Sequence, residues 1–132
     1  MDNIELLKLA IEAKKNAHVP YSHFKVGAAL LTTDGKVFKG ANVECSSYGL
    51  SICAERCALV KAVSEGYKEF SKIAVVGGLN DELTYTTPCG ACRQFLADFN
   101  QDMDVIMGYL EGDEIKYKEM KLKELLPETF EL

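Results

Sequence analysis

The sequence predicts an α/β fold, a three-layer sandwich around one mixed five-stranded sheet, with elements in the order α-β-β-α-β-α-β-β-α. Three observations predict it. Short strand-like apolar runs alternate with helix-length amphipathic runs along the chain. Two turn signals, Asp34-Gly35 and Glu111-Gly112-Asp113, each join a pair of such runs as a hairpin. Between the hairpins two helical segments are each followed by a strand, and the two β-α-β crossovers imply a mostly parallel centre flanked by antiparallel hairpin partners. A length of 132 residues suits a single domain, residues 1–132, with room for a full core.

The first helix is expected from about Ile4 to Asn16, because Ile4, Leu7, Ala10 and Ile11 share a face and Asp2 or Asn3 can cap it. His18 to His23 is loop, with Pro20 biasing Val19 away from helix. Val26–Thr32 and Lys36–Ala41 are the strands of the first hairpin. The polar stretch NVECSSYGLS leads into a helix from about Ile52 to Glu65 that Gly66 can end. Lys72–Val76 (KIAVV) has no polar face, which suits a strand buried on both sides. Pro88 opens a helix from near Cys89 to near Asn100; a first turn tolerates proline because the missing N–H has no helical partner there. Strands Asp104–Leu110 and Glu114–Glu119, a short helix at Lys121–Leu126 and a tail with Phe130 complete the order. The charged run KYKEMKLKE reads as a solvated strand and helix face.

Composition excludes several function classes. The net charge of −5 argues against a nucleic-acid groove, which needs a basic stripe. No segment reaches the roughly 20 apolar residues that span a bilayer. The N-terminal run is an amphipathic helix pattern rather than a signal peptide, so a cytoplasmic protein is expected. In that compartment five cysteines (45, 53, 57, 89 and 92) point to metal binding or catalysis rather than to disulfides, and an odd number cannot all pair.

Two of them, Cys89 and Cys92, stand three apart in TTPCGACRQF at the start of a helix, and Cys53 stands at the start of the other interior helix. The pair alone can hold a metal, cycle as a dithiol or pack inertly. With right-handed crossovers, both helix N-termini meet at one sheet edge and three sulfurs converge. Helix N-termini favour thiolates. Three thiolates bind one Zn2+ per chain and leave a fourth position for water, whose pKa zinc brings down to about 7. Glu55, two residues beyond Cys53, is placed to take that proton and return it to a substrate. Arg56, with Arg93 as a second candidate, can hydrogen-bond a sulfur and draw off part of the thiolate charge.

CAER (Cys53–Arg56) with PCGACRQ (Pro88–Gln94) closely resembles the zinc-dependent cytidine deaminases. PYSHFKVGAAL (Pro20–Leu30) is similar to a further segment of that family, NVE (Asn42–Glu44) to its ribose-binding loop, and ELLPETF (Glu124–Phe130) to its C-terminal segment. The resemblance covers essentially the whole chain and implies a sheet of the cytidine deaminase type. It implies hydrolysis of cytidine and deoxycytidine to uridine and deoxyuridine plus ammonia, in pyrimidine salvage. By it, Cys53, Cys89 and Cys92 match the zinc ligands, Glu55 the proton shuttle and Arg56 the arginine that tempers the thiolates. Phe24 matches an aromatic against the pyrimidine, and Asn42 with Glu44 the pair on the ribose hydroxyl. Small members of the family are homotetramers with shared active sites, which implies that Tyr48 and Phe130 close a neighbouring subunit's site. The expected partner is a free pyrimidine nucleoside, since an acidic chain with no clear basic pocket repels a 5′-phosphate. A related fold that deaminates a cytosine-containing antibiotic has a motif that runs differently around its glutamate.

Two residues depart from the pattern: Cys45 where the family usually has Asn, and Cys57 where Thr is common. Cys57 is one turn past Cys53 on roughly the same face, so a closed structural site of Cys53, Cys57, Cys89 and Cys92 stands as an alternative. A thioredoxin-like redox pair is the other, but it has no use for Cys53 and Glu55, and the only proline after the motif, Pro127, is near the C-terminus. Taken alone, Phe24 reads as a core aromatic. His18 and His23 read as loop residues and not as ligands.

Overall fold

The computed structural model describes residues 1–132, and the elements follow the expected order. α1 (Asn3–Lys14) precedes the hairpin of β1 (Phe24–Thr32) and β2 (Val37–Ala41). After it come α2 (Ala54–Ser64), β3 (Phe70–Leu79), α3 (Gly90–Ala97), β4 (Asp104–Glu111), β5 (Glu114–Lys121) and α4 (Leu122–Leu125). A 3-10 turn at Tyr48–Leu50, inside the polar loop, was not anticipated.

Local chemistry explains the boundaries. Asp2, rather than Asn3, caps α1: its carboxylate accepts the Glu5 N–H at 2.8 Å. Gly66, at φ 96°, ends α2 as expected, with the N–H groups of Gly66 and Tyr67 returning to the carbonyls of Val63 and Ala62 at 3.0 Å. α3 stops short of the expected Asn100. The Asn100 side chain instead donates to the Phe70 carbonyl at 2.8 Å and accepts the Asp102 N–H at 2.9 Å, turning the chain into β4. β3 runs past Val76 through Gly77, Gly78 and Leu79, which pair with Val26, Lys25 and Phe24. Glycines add no apolar periodicity, so this extension left no pattern to read.

The strand order is β2-β1-β3-β4-β5. Only β3 and β4 pair parallel; β1 is antiparallel to both β2 and β3, and β4 is antiparallel to β5. The expected mostly parallel centre is therefore corrected. The crossover through α2 does join strands of the same direction, β2 and β3, but β1 is inserted between them. Crossovers set direction, and long-range packing chooses the neighbour.

Side chains alternate across the sheet and build a core on each face. Ala29, Leu31, Ala74, Val76 and Ile106 face α1, where they meet Leu6, Leu7 and Ala10. Ala28, Leu30, Ile73, Val75, Val105 and Met107 face the opposite way, against Ala54, Ala58, Leu59 and Ala62 of α2 and Leu96 and Ala97 of α3. KIAVV is thus buried on both sides, and the molecule has the three expected layers. α2 is set down close on the sheet at Gly40, where a Cβ would stand 2.4 Å from the Ala54 carbonyl oxygen and 2.5 Å from the Ala58 nitrogen. That contact fixes the end of α2 that carries Cys53.

Candidate active site

α2 and α3 lie on one face of the sheet, and their first turns bring Cys53, Cys89 and Cys92 together. Cys53 and Cys89 occupy the N-cap positions of the two helices in extended conformation, and neither side chain caps its helix. Both sulfurs are left free to face each other. Cys53 Sγ is 3.6 Å from Cys89 Sγ, Cys89 Sγ is 3.5 Å from Cys92 Sγ, and all three lie within 4.8 Å of one another. Cys92 is fully buried, Cys53 half-buried and Cys89 exposed, so the cluster opens to solvent on one side. Three soft donors at that spacing fit a tetrahedral Zn2+ with one position left over.

Glu55 follows on the same turn of α2 and is 3% exposed, with its Oε1 buried and free of any hydrogen-bond partner. Burial pushes its carboxyl up to about 7, with the Cys53 charge adding to the rise. A buried carboxylate oxygen without a partner is costly unless a ligand meets it. Arg56 donates from Nη2 to Cys53 Sγ at 3.5 Å. The Cys53 thiol is drawn down to about 5, first by the neighbouring Cys92 thiol and then by Arg56. Cys92 is pushed up by the neighbouring Cys53 thiol and by burial, so of these two Cys53 ionises first. A guanidinium at that position can answer the excess of three thiolate charges over a divalent cation.

Arg93 does not share that task. Its Nε donates to the Pro88 carbonyl at 2.7 Å and its Nη1 to the Leu125 carbonyl at 2.9 Å, which ties the motif loop to α4. The Arg93 alternative is corrected accordingly: the hydrogen bonds its side chain makes go to backbone oxygens and none goes to a sulfur. Cys57 lies outside the three-sulfur cluster, in a separate cavity with Gly40, Val43 and Lys61, and its thiol is raised by burial. The closed four-cysteine site does not form.

The polar loop adds a second wall. Asn42, Glu44, Tyr48 and Cys53 line one cavity of about 210 Å3. Asn42 bridges the edge of β1, accepting the Val26 N–H at 2.8 Å and donating to the Phe24 carbonyl at 3.0 Å. Glu44 accepts the N–H groups of Tyr21 and Ser22 at 3.1 Å, the Ser22 hydroxyl at 2.5 Å and the Tyr48 hydroxyl at 3.3 Å. These bonds, that of the Ser22 hydroxyl first, hold its carboxyl below the usual range. His18 acts through its backbone, bridging Asn42 and Glu44 at 2.9 and 2.8 Å.

Phe24 opens β1 half-buried, with its ring 3.1 Å from where a Cβ on Gly77 would stand. Phe130 does not reach the cavity of its own chain. It is 66% exposed beside α3, where its carbonyl accepts from Gln94 Nε2 at 3.1 Å. Ser22 is the residue that sequence reasoning missed. It stands within the PYSHFKVGAAL segment, two residues after Pro20, where a serine hydroxyl in a loop is a candidate turn-forming group.

The chain has extensive likenesses. A family model described as the cytidine and deoxycytidylate deaminase zinc-binding region matches residues 1–109, which include all three clustered cysteines. The chain is 52% identical over 132 residues to a probable cytidine deaminase of Dictyostelium discoideum, covering 97% of this chain and 86% of the relative. It is 50% identical over 131 residues to a cytidine deaminase of Halalkalibacterium halodurans, covering 98% of this chain and 95% of the relative. Among solved structures, the crystal structure of cytidine deaminase from Burkholderia pseudomallei has a TM-score of 0.88 at 44% identity, covering 98% of this chain and 100% of that one.

Proposed function

The chain belongs to the family of zinc-binding cytidine and deoxycytidylate deaminases, and from that premise we propose that Cys53, Cys89, Cys92 and Glu55 form its catalytic centre. Its activity is the zinc-dependent hydrolytic deamination of cytidine to uridine and ammonia. The observation that carries the site assignment is Glu55: a buried carboxylate oxygen without a partner, on the helix turn that also presents Cys53 to two further sulfurs.

Cys53, Cys89 and Cys92 hold the zinc. When bound there it supplies a water acidic enough to be deprotonated near neutral pH. Glu55 accepts that water's proton and delivers it to N3 of the pyrimidine, which makes C4 electrophilic. Once the water oxygen has added at C4, Glu55 takes the remaining proton of the new C4 hydroxyl and gives it to the 4-amino group, so that the C4–N bond breaks, ammonia leaves and the C4 carbonyl forms. One carboxyl poised near 7 serves as both base and acid. Arg56 tempers the thiolates. Phe24 lies against the pyrimidine, and Asn42 with Glu44 holds a ribose hydroxyl. A pair reading the 3′-hydroxyl accepts deoxycytidine as well as cytidine.

Residues 1–132 act as one catalytic domain, which we place in the cytoplasm, in pyrimidine salvage. No helix is long and apolar enough to cross a membrane, and all five cysteines are free thiols. The working form is a homotetramer with shared sites. Val43, Tyr48, Leu50 and Ile52 are exposed around the cavity and Phe130 beside α3, apolar surface that neighbouring subunits cover. Phe130 then closes the site of a neighbour, and Tyr48, which in the single chain rests on its own Glu44 at 3.3 Å, reaches across to a neighbour's site in the tetramer.

The test is Glu55→Gln. Turnover of cytidine, followed by its ultraviolet change, falls by several orders of magnitude while zinc stays at one per chain. Near-normal turnover with zinc retained would remove Glu55 from the mechanism.

A further inference from the structure

Ser22 meets Glu44 twice: its backbone N–H donates to Oε1 at 3.1 Å and its hydroxyl to Oε2 at 2.5 Å. The same hydroxyl oxygen accepts the N–H of Phe24 at 3.0 Å. A hydroxyl has one proton to give, and here it goes to the carboxylate, leaving a lone pair for Phe24. The intervening His23 adopts φ 60°, which makes the turn tight enough for both contacts.

Glu44 is thereby filled. A carboxylate accepts about four hydrogen bonds, and Tyr21 N–H, Ser22 N–H, Ser22 hydroxyl and Tyr48 hydroxyl supply them. Three of these come from Tyr21 and Ser22 and pin the carboxylate to the loop before β1. The fourth, from Tyr48, is the longest at 3.3 Å and comes from an exposed side chain. It is the one that a sugar hydroxyl displaces most readily.

We propose that Ser22 is a positioning residue for the sugar: by holding Glu44 and Phe24 through one hydroxyl, it fixes the spacing between the ribose contact and the ring against the base. Selectivity for nucleosides with a 3′-hydroxyl follows from that spacing. The proposal rests on the assignment of Glu44 to the ribose given above. Ser22 is only part-buried, and both partners of its hydroxyl, the Glu44 carboxylate and the Phe24 N–H, belong to residues of the candidate site. Removing it takes from Glu44 a short charge-assisted bond and from the Phe24 N–H its acceptor.

The test compares cytidine with 2′,3′-dideoxycytidine, which lacks the 2′- and 3′-hydroxyls but keeps the 5′-hydroxyl, as substrates or as competing ligands. Steady-state constants are measured for the wild type, Ser22→Ala, Ser22→Thr and Glu44→Ala, with zinc content and thermal midpoint recorded for each. For Ser22→Ala the KM for cytidine rises about tenfold while kcat stays within about twofold, and the constant for the dideoxynucleoside, which keeps only the Phe24 contact, shifts by no more than about twofold. Ser22→Thr, which keeps a hydroxyl, recovers most of the loss. Ser22→Cys, a weak donor of similar size, lies between and replaces Ser22→Ala if that variant does not fold. An equal loss for both ligands, or no loss for cytidine, overturns the proposal. If Glu44→Ala itself leaves the ratio between the two ligands unchanged, the ribose assignment of Glu44 fails and takes the Ser22 proposal with it. If Glu44→Ala collapses the ratio and Ser22→Ala does not, only the Ser22 proposal falls.

Discussion

Arg56 reaches back along the first turn of α2 so that its Nη2 stands 3.5 Å from Cys53 Sγ. The guanidinium is therefore held against a sulfur of the metal cluster and takes up part of its charge. Removing it leaves the thiolates richer in electrons and the metal a weaker acid. Arg56→Gln should lower kcat/KM for cytidine by about 10- to 100-fold. In the metal-free protein, thiolate absorbance should show Cys53 ionising at higher pH than the value near 5 it has beside Arg56. An unchanged thiolate titration would mean that the contact carries no charge effect.

Glu55 gives the metal-free protein a pH-dependent cost. Its carboxyl is raised from 4.5 to about 7 in the folded chain, so the unfolded chain ionises first as pH rises. Stability is therefore lost between about 4.5 and about 7 and is flat above. At about 1.4 kcal/mol per unit, the loss is about 3–4 kcal/mol. Urea unfolding after chelation should find Glu55→Gln more stable than the wild type at pH 8, with the difference gone near pH 4. Parallel pH profiles for the two proteins would refute the burial argument.

Gly40→Ala tests how α2 is seated. The added methyl meets the Ala54 carbonyl oxygen at 2.4 Å and the Ala58 nitrogen at 2.5 Å, both backbone atoms that cannot rotate away. The helix must lift, at a cost of about 1–3 kcal/mol. Cys53 lifts with it, so zinc content should fall together with the thermal midpoint. A midpoint that drops while zinc stays at one per chain would show that the cluster does not depend on this seat.

Cys57→Thr should leave zinc content and turnover near those of the wild type, because the Cys57 thiol lies in a cavity apart from the three converging sulfurs. Metal analysis by mass spectrometry decides it. Zinc lost from this variant would bring the four-cysteine site back.

Much of this molecule was legible because its chemistry is local. Cys89 and Cys92 are neighbours on one turn, Glu55 and Arg56 follow Cys53 directly, and Gly66 ends its helix with bonds to residues just before it. Other features depend on contacts that no local pattern records. β1 lies between β2 and β3 because its two faces fill both cores, a choice that connection order does not specify. Ser22 finds Glu44 22 residues away, and Arg93 finds the Leu125 carbonyl 32 residues away. Arg93 shows the limit most plainly: standing next to a metal-ligand cysteine, it is turned toward backbone oxygens instead.

The three donors also differ in how far apart they lie along the chain. Cys89 and Cys92 are 3 residues apart, whereas Cys53 stands 36 residues before Cys89. A cation can meet the near pair as soon as one turn of α3 forms, but the third sulfur arrives only when α2, β3 and α3 have docked. Closing the longer loop carries an entropy that grows with the logarithm of its length, and docking of the helices on the sheet offsets it. Firm retention of the ion thus records that this part of the chain has finished folding. A chain halted before that point holds its cargo by two sulfurs and yields it readily to a competing chelator.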